Sequence, residues 1–339
     1  VTRREGKSSH KASSQEEGLF ARSVSVIIVS YWTGPILARS VMSALHQSEV
    51  RDVIIVDNGN PKEDLERLKT LAGEDAQRLK ILTDHGNIGY AAGCNHGVRA
   101  AEGKYIFILN PDAILPNGSV GKLLAAVDDW ADDLWMIGGK LINSDGSEQA
   151  GSRRNALTPG SAFIEMTQIW RIAPKHPMFQ RFNRHQTPCP KETVKMPVIS
   201  GACMLMPRKS FDAIGGMDER YFLHVEDVDF CLRLGKAGGT ILFTPDAEIL
   251  HYKSTSRANA MRIEYRKLRS IIIYFQTHFE DQYPKPFLWL VYGLVWLGFC
   301  FRFVKRALAR AFGIIGLRRR RGVRALQRAK AIDRKRADR

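Results

Sequence analysis

Cysteine is scarce: Cys94, Cys189, Cys203, Cys231 and Cys300 are the five in a chain of 339 residues. Their number is odd and no two stand at C-x-x-C spacing. A disulfide framework is therefore excluded, and reduced thiols in a cytosolic compartment are expected. The 28 glycines follow no strict period and no heptad is sustained, which excludes collagen-like and coiled-coil chains. No internal repeat is present. The first 22 residues are polar, rich in Ser, Lys and Glu, and lack an apolar core of signal-peptide length. Residues 1–22 are expected to be a disordered leader on a chain that starts in the cytosol. What is there is the composition of a packed globular protein, 44% hydrophobic and 25% charged.

Acidic residues are outnumbered, 35 Asp and Glu against 51 Lys and Arg, for a net charge of +16. The excess is local. From Arg302 to Arg339 there are 15 Lys and Arg against Asp333 and Asp338, so the preceding 301 residues are close to neutral. A nucleic-acid-binding fold spreads its basic residues over a folded face, so no nucleic-acid partner is expected. A polybasic run beside an apolar segment fits an anionic membrane surface instead. That segment, Phe287 to Phe301, has 15 residues without a charge, short of the roughly 20 that span a bilayer. Trp289, Tyr292 and Trp296 suit an interface. An apolar pattern interrupted by Arg302, Lys305, Arg306 and Arg310 continues to Leu317. Residues 281–317 are expected to form one or two amphipathic helices in the cytoplasmic leaflet, with 318–339 as a polybasic tail on the headgroups. A buried helix, a dimer contact or a true span are the other readings.

The body alternates strands and helices. Val24–Ser30, Val53–Asp57, Lys80–Thr83 and Tyr105–Leu109 are short apolar runs of the kind that form buried parallel strands. Residues 35–47, 61–71, 91–101 and 118–130 have helical spacing. Such βαβ units imply an α/β fold with a mostly parallel central sheet flanked by helices. Ligands bind beyond the carboxyl ends of strands in such sheets. After residue 131 the pattern loosens. Asn143 to Gly146 reads as a turn between strand-like runs, and 155–197 as a long loop or lid. Val198–Met206 and Thr240–Phe243 read as strands, and 209–214, 228–237 and 258–279 as helices.

Polar residues at strand ends are the first candidates for chemistry. Ser30 and Tyr31 close the first strand, Asp57 and Asn58 the second, Asn110 and Asp112 the fourth. A carboxylate in Asn110-Pro111-Asp112 can hold Mg2+ or Mn2+ through oxygen while the ion bridges a diphosphate; an Asx-Pro turn is the plainer reading. Asp57 can accept the N3–H of a uracil or thymine ring, or cap the helix that follows. The run from Asn87 to Asn95, with Gly89 and Gly93, allows close backbone approach to a phosphate at a helix N-terminus. It is neither a G-x-G-x-x-G fingerprint nor a P-loop, and tight helix–sheet packing is the alternative. Glu226, Asp227 and Asp229 lie in an apolar stretch, which is costly unless they are paired or functional. One of them is a candidate general base; the plainer reading is that some of them cap the helix that follows, and Asp229 is the one expected only to do that. His251 closes an apolar run and offers an imidazole to a divalent ion, or packs structurally.

Taken in order, Val24–Ser30, Asp57-Asn58-Gly59, Asn87-x-Gly89-Tyr90-Ala91-Ala92-Gly93-x-Asn95, Asn110-Pro111-Asp112, Ser200-Gly201-Ala202, Glu226-Asp227-Val228-Asp229 and His251 resemble the motifs of family 2 glycosyltransferases of the Rossmann-like GT-A fold. The likeness is closest to bacterial rhamnosyltransferases acting on lipid-linked saccharides, and it covers about residues 23–280. It implies a nucleotide-sugar-binding half over 23–130, an acceptor half over 131–257 and a closing helix over 258–280. By the same resemblance Ser30, Tyr31 and Asp57 hold the nucleoside, and Asn87, Gly89 and Gly93 hold ribose or diphosphate. Asn110 and Asp112 stand at the family's D-x-D motif, with Asn replacing the first acid. Asp112 is left as metal ligand, and His251 completes a Mg2+ or Mn2+ site. Asp227 is the base, and Ser200, Gly201, Ala202 and Glu226 lie near the acceptor. The implied reaction is an inverting transfer from dTDP-rhamnose, or from a UDP-hexose or UDP-galactofuranose. Its acceptor is a polyprenyl-diphosphate-linked saccharide at the cytoplasmic face of the bacterial plasma membrane, in cell-wall or surface-polysaccharide synthesis. The alternative of another class is a non-catalytic adaptor using the basic tail. The near-neutral body and the ordered acidic motifs count against it.

Overall fold

The computed structural model describes residues 23–311 apart from 129, 131, 173–175, 177, 178 and 254–258. The expected leader, the polybasic tail and residues 312–317 lie outside the described residues.

Strands β1 (Val24–Ser30), β2 (Val50–Asp57), β3 (Leu79–Leu82) and β4 (Tyr105–Leu109) alternate with helices α1 (Ile36–Leu45), α2 (Lys62–Ala72) and α3 (Tyr90–Ala100), and α4 (Ser119–Ala125) follows. The strands pair in parallel in the order β3-β2-β1-β4. The apolar runs of β1, β2 and β4 are explained by burial on both faces, while β3 is a half-buried edge strand. Val24, Val26 and Ile28 pack with Leu37 and Val41 of α1, while Ile27 and Val29 pack with Ala91, Cys94 and Val98 of α3. Each such side chain contributes about 1.5–3 kcal/mol when fully buried. Helix α4 stops at Ala125 rather than running to Trp130. An acid, Asp128, follows at the negative end of the helix dipole, and the chain continues in tighter turns, Val127 N to Leu124 O and Trp130 N to Val127 O.

The sheet continues through β5 (Ala113–Ile114), β6 (Trp135–Ile142), β8 (Val194–Lys195), β10 (Cys203–Pro207) and β11 (Thr240–His251). Its order beyond β4 is β10-β6-β11-β5, with β8 also on β11. β10 runs antiparallel to β4 and β6, and β5 and β8 antiparallel to β11, so six of the nine strands share one direction. β7 (Arg153–Arg154) and β9 (Val198–Ile199) form a separate two-stranded sheet. Two expectations are corrected here. Val198–Met206 is not one strand but two, in two sheets, broken at Ser200 to Ala202. The last strand does not end at Phe243; it bulges between Thr244 and Glu248 and runs on to His251. The turn at Gly146, φ +84°, is present, but a single bridge from Ile142 to Glu148 follows it rather than a second strand.

The remaining helices are α5 (Pro159–Thr167), α6 (Arg208–Ala213), α7 (Glu226–Lys236), α8 (Ala260–Phe279) and α9 (Lys285–Ala311). α5 lies inside the segment expected to be a loop, where the Thr158 and Ser161 side chains form a reciprocal cap. α9 is one helix, not two, and lies antiparallel to α8. Arg306 donates to the Ala260 carbonyl at 3.1 Å, Arg302 pairs with Glu264 at 2.9 Å, and the Tyr265 and Phe299 rings are 6.3 Å apart. Leu288, Val291 and Val295 are buried, whereas Trp289, Leu297 and Phe301 are about two-thirds exposed. The stretch Lys285–Leu308, 24 residues that contain an 18-residue window of mean hydropathy 1.8, is long and apolar enough to cross a membrane by length and composition. The charge-free count of 15 residues underestimates it because the helix continues through Arg302.

Candidate active site

Asn110-Pro111-Asp112 connects β4 to β5 at the carboxyl edge of the sheet. Pairing of β5 with β11 sets His251 opposite Ala113, and Tyr252 N donates to the Asp112 carbonyl at 3.0 Å. The two side chains therefore meet: His251 Nε2 lies 3.0 Å from Asp112 Oδ1, and both residues are buried. Gln149 fixes the imidazole. Its amide nitrogen donates to the His251 carbonyl and to Asn143 Oδ1, each at 3.0 Å, so its Oε1 must accept from Nδ1 at 2.7 Å. Nδ1 then carries the hydrogen and Nε2 presents its lone pair, to which the Asn110 amide donates at 3.2 Å. A lone pair and a carboxylate oxygen 3.0 Å apart call for a positive charge. Adjacent ligands of an octahedral ion with bonds of about 2.1 Å stand about 3.0 Å apart, so the donor set and its spacing fit a divalent cation. No group of three or more His, Cys, Asp or Glu forms a metal site among the described residues. Water and substrate oxygens would complete the shell of a Mg2+-like ion.

The base end is reached through the break in the expected strand. β10 sets Cys203 opposite Leu109, and Asn110 N donates to the Ala202 carbonyl at 3.1 Å. The Tyr90 hydroxyl lies 3.0 Å from both Asn110 Oδ1 and the Gly201 carbonyl, with one proton to share between them. Helix α7 begins at Glu226, and Asp227 sits in its first turn. Asp227 Oδ2 accepts from Gly201 N at 2.9 Å and from Arg154, while Oδ1 accepts from Val228 N at 2.8 Å. Gly201 permits this approach, since a Cβ there would stand 3.0 Å from that of Asp227. Asp112, His251, Asn110, Tyr90, Gly201 and Asp227 thus form one continuous network. Burial by itself would raise the Asp227 carboxyl, but the Arg154 guanidinium and the backbone donors outweigh it and hold the group below the usual carboxylate range. Its neighbour Glu226 is pushed up to about 8, by burial first and by the Asp227 charge second.

A cavity of about 440 Å³ opens beyond the carboxyl ends of β1, β2 and β4. Tyr31, Asn87, Gly89, Asn110 and Asp112 line it; Ser30, Asp57 and Gly93 do not. Ser30 is fully buried, 2.9 Å from the Thr33 hydroxyl and 3.1 Å from Asn60 Oδ1. Asp57 Oδ1 accepts from the amides of Gly59 and Asn60 and from the Asn60 side chain, at 3.1, 2.7 and 2.7 Å. Ser30 and Asp57 therefore shape the loop beside the cavity. Gly93 packs on Val29, where a Cβ would come within 2.8 Å, so its close approach is helix to sheet rather than backbone to phosphate. Gly89 has φ +92°, and the Phe222 carbonyl would lie 2.8 Å from its Cβ, so no other residue fits there without strain. Glu226 faces Tyr90 and Cys94, and its Oε2 has no hydrogen-bond partner. Asp229 does not cap the helix, whose N-cap is Val225; it lies within the first turn and holds Arg233 and His278, each at 2.7 Å. Ser200 accepts from Ala202 N at 3.3 Å within the strand break. Gln149, Arg154, Arg262 and Arg266 were not candidates in the sequence, and Tyr90 stood there only as a motif position. Each owes its place to contacts distant in the chain.

Residues 25–215 match the model for glycosyl transferase family 2. The chain belongs to that family and is a glycosyltransferase. Its curated relatives include the N-acetylglucosaminyl-diphospho-decaprenol L-rhamnosyltransferase of Mycobacterium tuberculosis, 28% identical over 285 residues that cover 79% of this chain and 89% of that one. The rhamnosyltransferase WbbL of Escherichia coli is 22% identical over 240 residues, 62% of this chain and 81% of the relative. Among solved structures, GalNAc-T7 with UDP, GalNAc and Mn2+ aligns with a TM-score of 0.55 at 17% identity, over 76% of this chain but only 48% of that one. The mannosyltransferase PcManGT of Pyrobaculum calidifontis, with GDP-Man and Mn2+, aligns with a TM-score of 0.50 at 14% identity, over 86% of this chain and 74% of that one. These likenesses show a shared fold, the GT-A arrangement.

Proposed function

We propose that this chain transfers rhamnose from dTDP-rhamnose to a hydroxyl of a polyprenyl-diphosphate-linked saccharide, with inversion. The observation that carries the reading is the run of polar contacts, each within 3.2 Å, from His251 through Asn110, Tyr90 and Gly201 to Asp227. The two rhamnosyltransferase relatives support the sugar, and the name of the mycobacterial one supports the lipid diphosphate acceptor.

Asp112 and His251 would hold Mg2+ or Mn2+, which when bound neutralises charge gathering on the departing nucleoside diphosphate. Asp227 acts as the base. Its Oδ2 is occupied by two donors, so Oδ1, with one N–H, takes the proton from the acceptor hydroxyl. That oxygen attacks the anomeric carbon from the face opposite the diphosphate, and the bond to the diphosphate breaks as the new glycosidic bond forms. A single displacement inverts the centre without a covalent glycosyl-enzyme. Tyr31, Asn58 and Asn87 bind the nucleoside side of the donor, with Asp57 and Ser30 holding their loop. Ser200, Gly201 and Ala202 lie along the acceptor path.

Helix α9 lies in the cytoplasmic leaflet rather than across the bilayer. It is held against α8 from Tyr265 to Ala260, and crossing would draw Arg262, Arg266 and Lys267 of α8 toward hydrocarbon. Its exposed Trp289, Leu297 and Phe301 face lipid, and the enzyme meets its acceptor at that surface.

The test is a panel of dTDP-rhamnose, UDP-hexoses and UDP-galactofuranose with polyprenyl-diphosphate-GlcNAc in vesicles, run with Mg2+, Mn2+ or chelator. Rhamnose should be transferred only with a divalent ion, and with inverted anomeric configuration. Transfer from a UDP-sugar instead refutes the donor, undiminished activity in chelator refutes the metal, and retention refutes the mechanism.

A further inference from the structure

We propose that Arg262 and Arg266 of α8 form the diphosphate-binding wall of the cavity, opposite the edge that carries Asp112. The inference deepens the transferase reading and rests on it.

Both arginines line the cavity. Four residues apart, they share a helix face, an arrangement of like charges that weakens a helix unless an anion joins them. Neither makes an ion pair with an acid among the described residues. The acid between them in sequence, Glu264, is turned the other way, to Arg302 at 2.9 Å and Arg306 at 3.5 Å on α9. The pairing pattern thus turns Glu264 away and leaves two guanidinium groups at the cavity. Arg266 is also fixed in place: its guanidinium carbon lies 3.3 Å from the centroid of the Phe222 ring. Phe222 is pinned to the sheet side by its carbonyl, which accepts from Tyr90 N at 2.7 Å, an approach that Gly89 allows.

The opposite side of the cavity offers Asp112 beside His251, where a cation fits. An anion between the two sides meets positive charge from both. A planar guanidinium matches phosphate oxygens two at a time, and a cavity of about 440 Å³ holds a nucleoside diphosphate. Asn58 marks the nucleoside end: it lines the same cavity, its amide nitrogen donates to the Gly89 carbonyl at 3.0 Å, and its buried Oδ1 has no partner. A diphosphate could come from the donor or from the lipid acceptor. Arg262 and Arg266 line the same cavity as Tyr31 and Asn58 at the ends of β1 and β2, and this assigns the pair to the donor.

The experiment measures dTDP, dTMP and thymidine binding by calorimetry to the full chain and to Arg262→Ala, Arg266→Ala and the double variant, alongside KM for each substrate. Each single variant should bind dTDP roughly tenfold more weakly, as loss of a charge-assisted bond implies. Thymidine should stay within about twofold. KM for the nucleotide sugar should rise while KM for the lipid acceptor holds. Equal losses for thymidine and dTDP would mean that Arg266 only props Phe222, and would overturn the proposal. So would a rise in acceptor KM alone. Variants that keep full dTDP affinity sink the inference while a transferring wild type leaves the function standing. A wild type that binds no nucleoside diphosphate sinks both.

Discussion

Asp112 and Asp227 both lie at the carboxyl edge of the sheet and both belong to recognisable motifs, yet their surroundings are opposite. Asp112 looks at the lone pair of His251 across 3.0 Å. Asp227 looks at a guanidinium and two backbone N–H groups. A carboxylate beside an imidazole nitrogen is one part of a donor set that suits a divalent cation. A carboxylate held by a guanidinium is kept ionised and aimed, with one oxygen left to work. The position in the motif does not distinguish these cases; the partner across the gap does, and in each case a residue outside the motif supplies or orients that partner.

The largest effect should come from cancelling the charge at the base end. Asp227→Asn keeps the shape but cannot take a proton, so kcat should fall by roughly a thousandfold while dTDP binding holds. A kcat close to wild type would erase the distinction between the two ends. A smaller effect should follow at the other end from Gln149→Leu, which frees the imidazole to rotate. Metal affinity, read from activity against Mn2+ concentration, should drop roughly 10–100-fold and be restored by excess metal. An unchanged metal requirement would detach Gln149 from His251. The smallest effect concerns Glu226, whose carboxyl stands at about 8 in the fold against 4.5 when unperturbed. The folded chain binds that proton more tightly, so its stabilisation is complete below the unperturbed value and is lost as pH rises through the folded one. Glu226→Gln stays neutral throughout. Its Tm should exceed wild type by several degrees or more at pH 9, and the gap should close at pH 5. A gap that ignores pH would show that Glu226 does not titrate beside Asp227.

The parallel half of the sheet was legible because β1, β2 and β4 are buried on two faces, with β3 a half-buried edge. Val24–Ser30 reads as one apolar run, and the structure uses it as one. The same rule misleads at Val198–Met206. That run is equally apolar, but Gly201 bends it to meet Asp227, and no local pattern announces the break. Asp112, Asp227 and His251 could be picked out as acids and a histidine closing or interrupting apolar runs. Arg154 and Gln149 could not. They lie where the sequence has no period, and their roles exist only once β7 sits against α7 and Gln149 packs under the end of β11. Arg262 and Arg266 were hidden differently, as two more charges on a helix that reads as solvated.

The seam between α8 and α9 ties the apolar helix to the wall of the pocket. Arg306 grips the first carbonyl of α8 and Arg302 grips its Glu264, and this same end of α8 roofs the donor cavity. A shift of α9 is therefore transmitted, as by a lever, to the walls of that cavity. On the proposed placement of α9 in the leaflet, thickness and fluidity of the lipid would act on turnover through this lever.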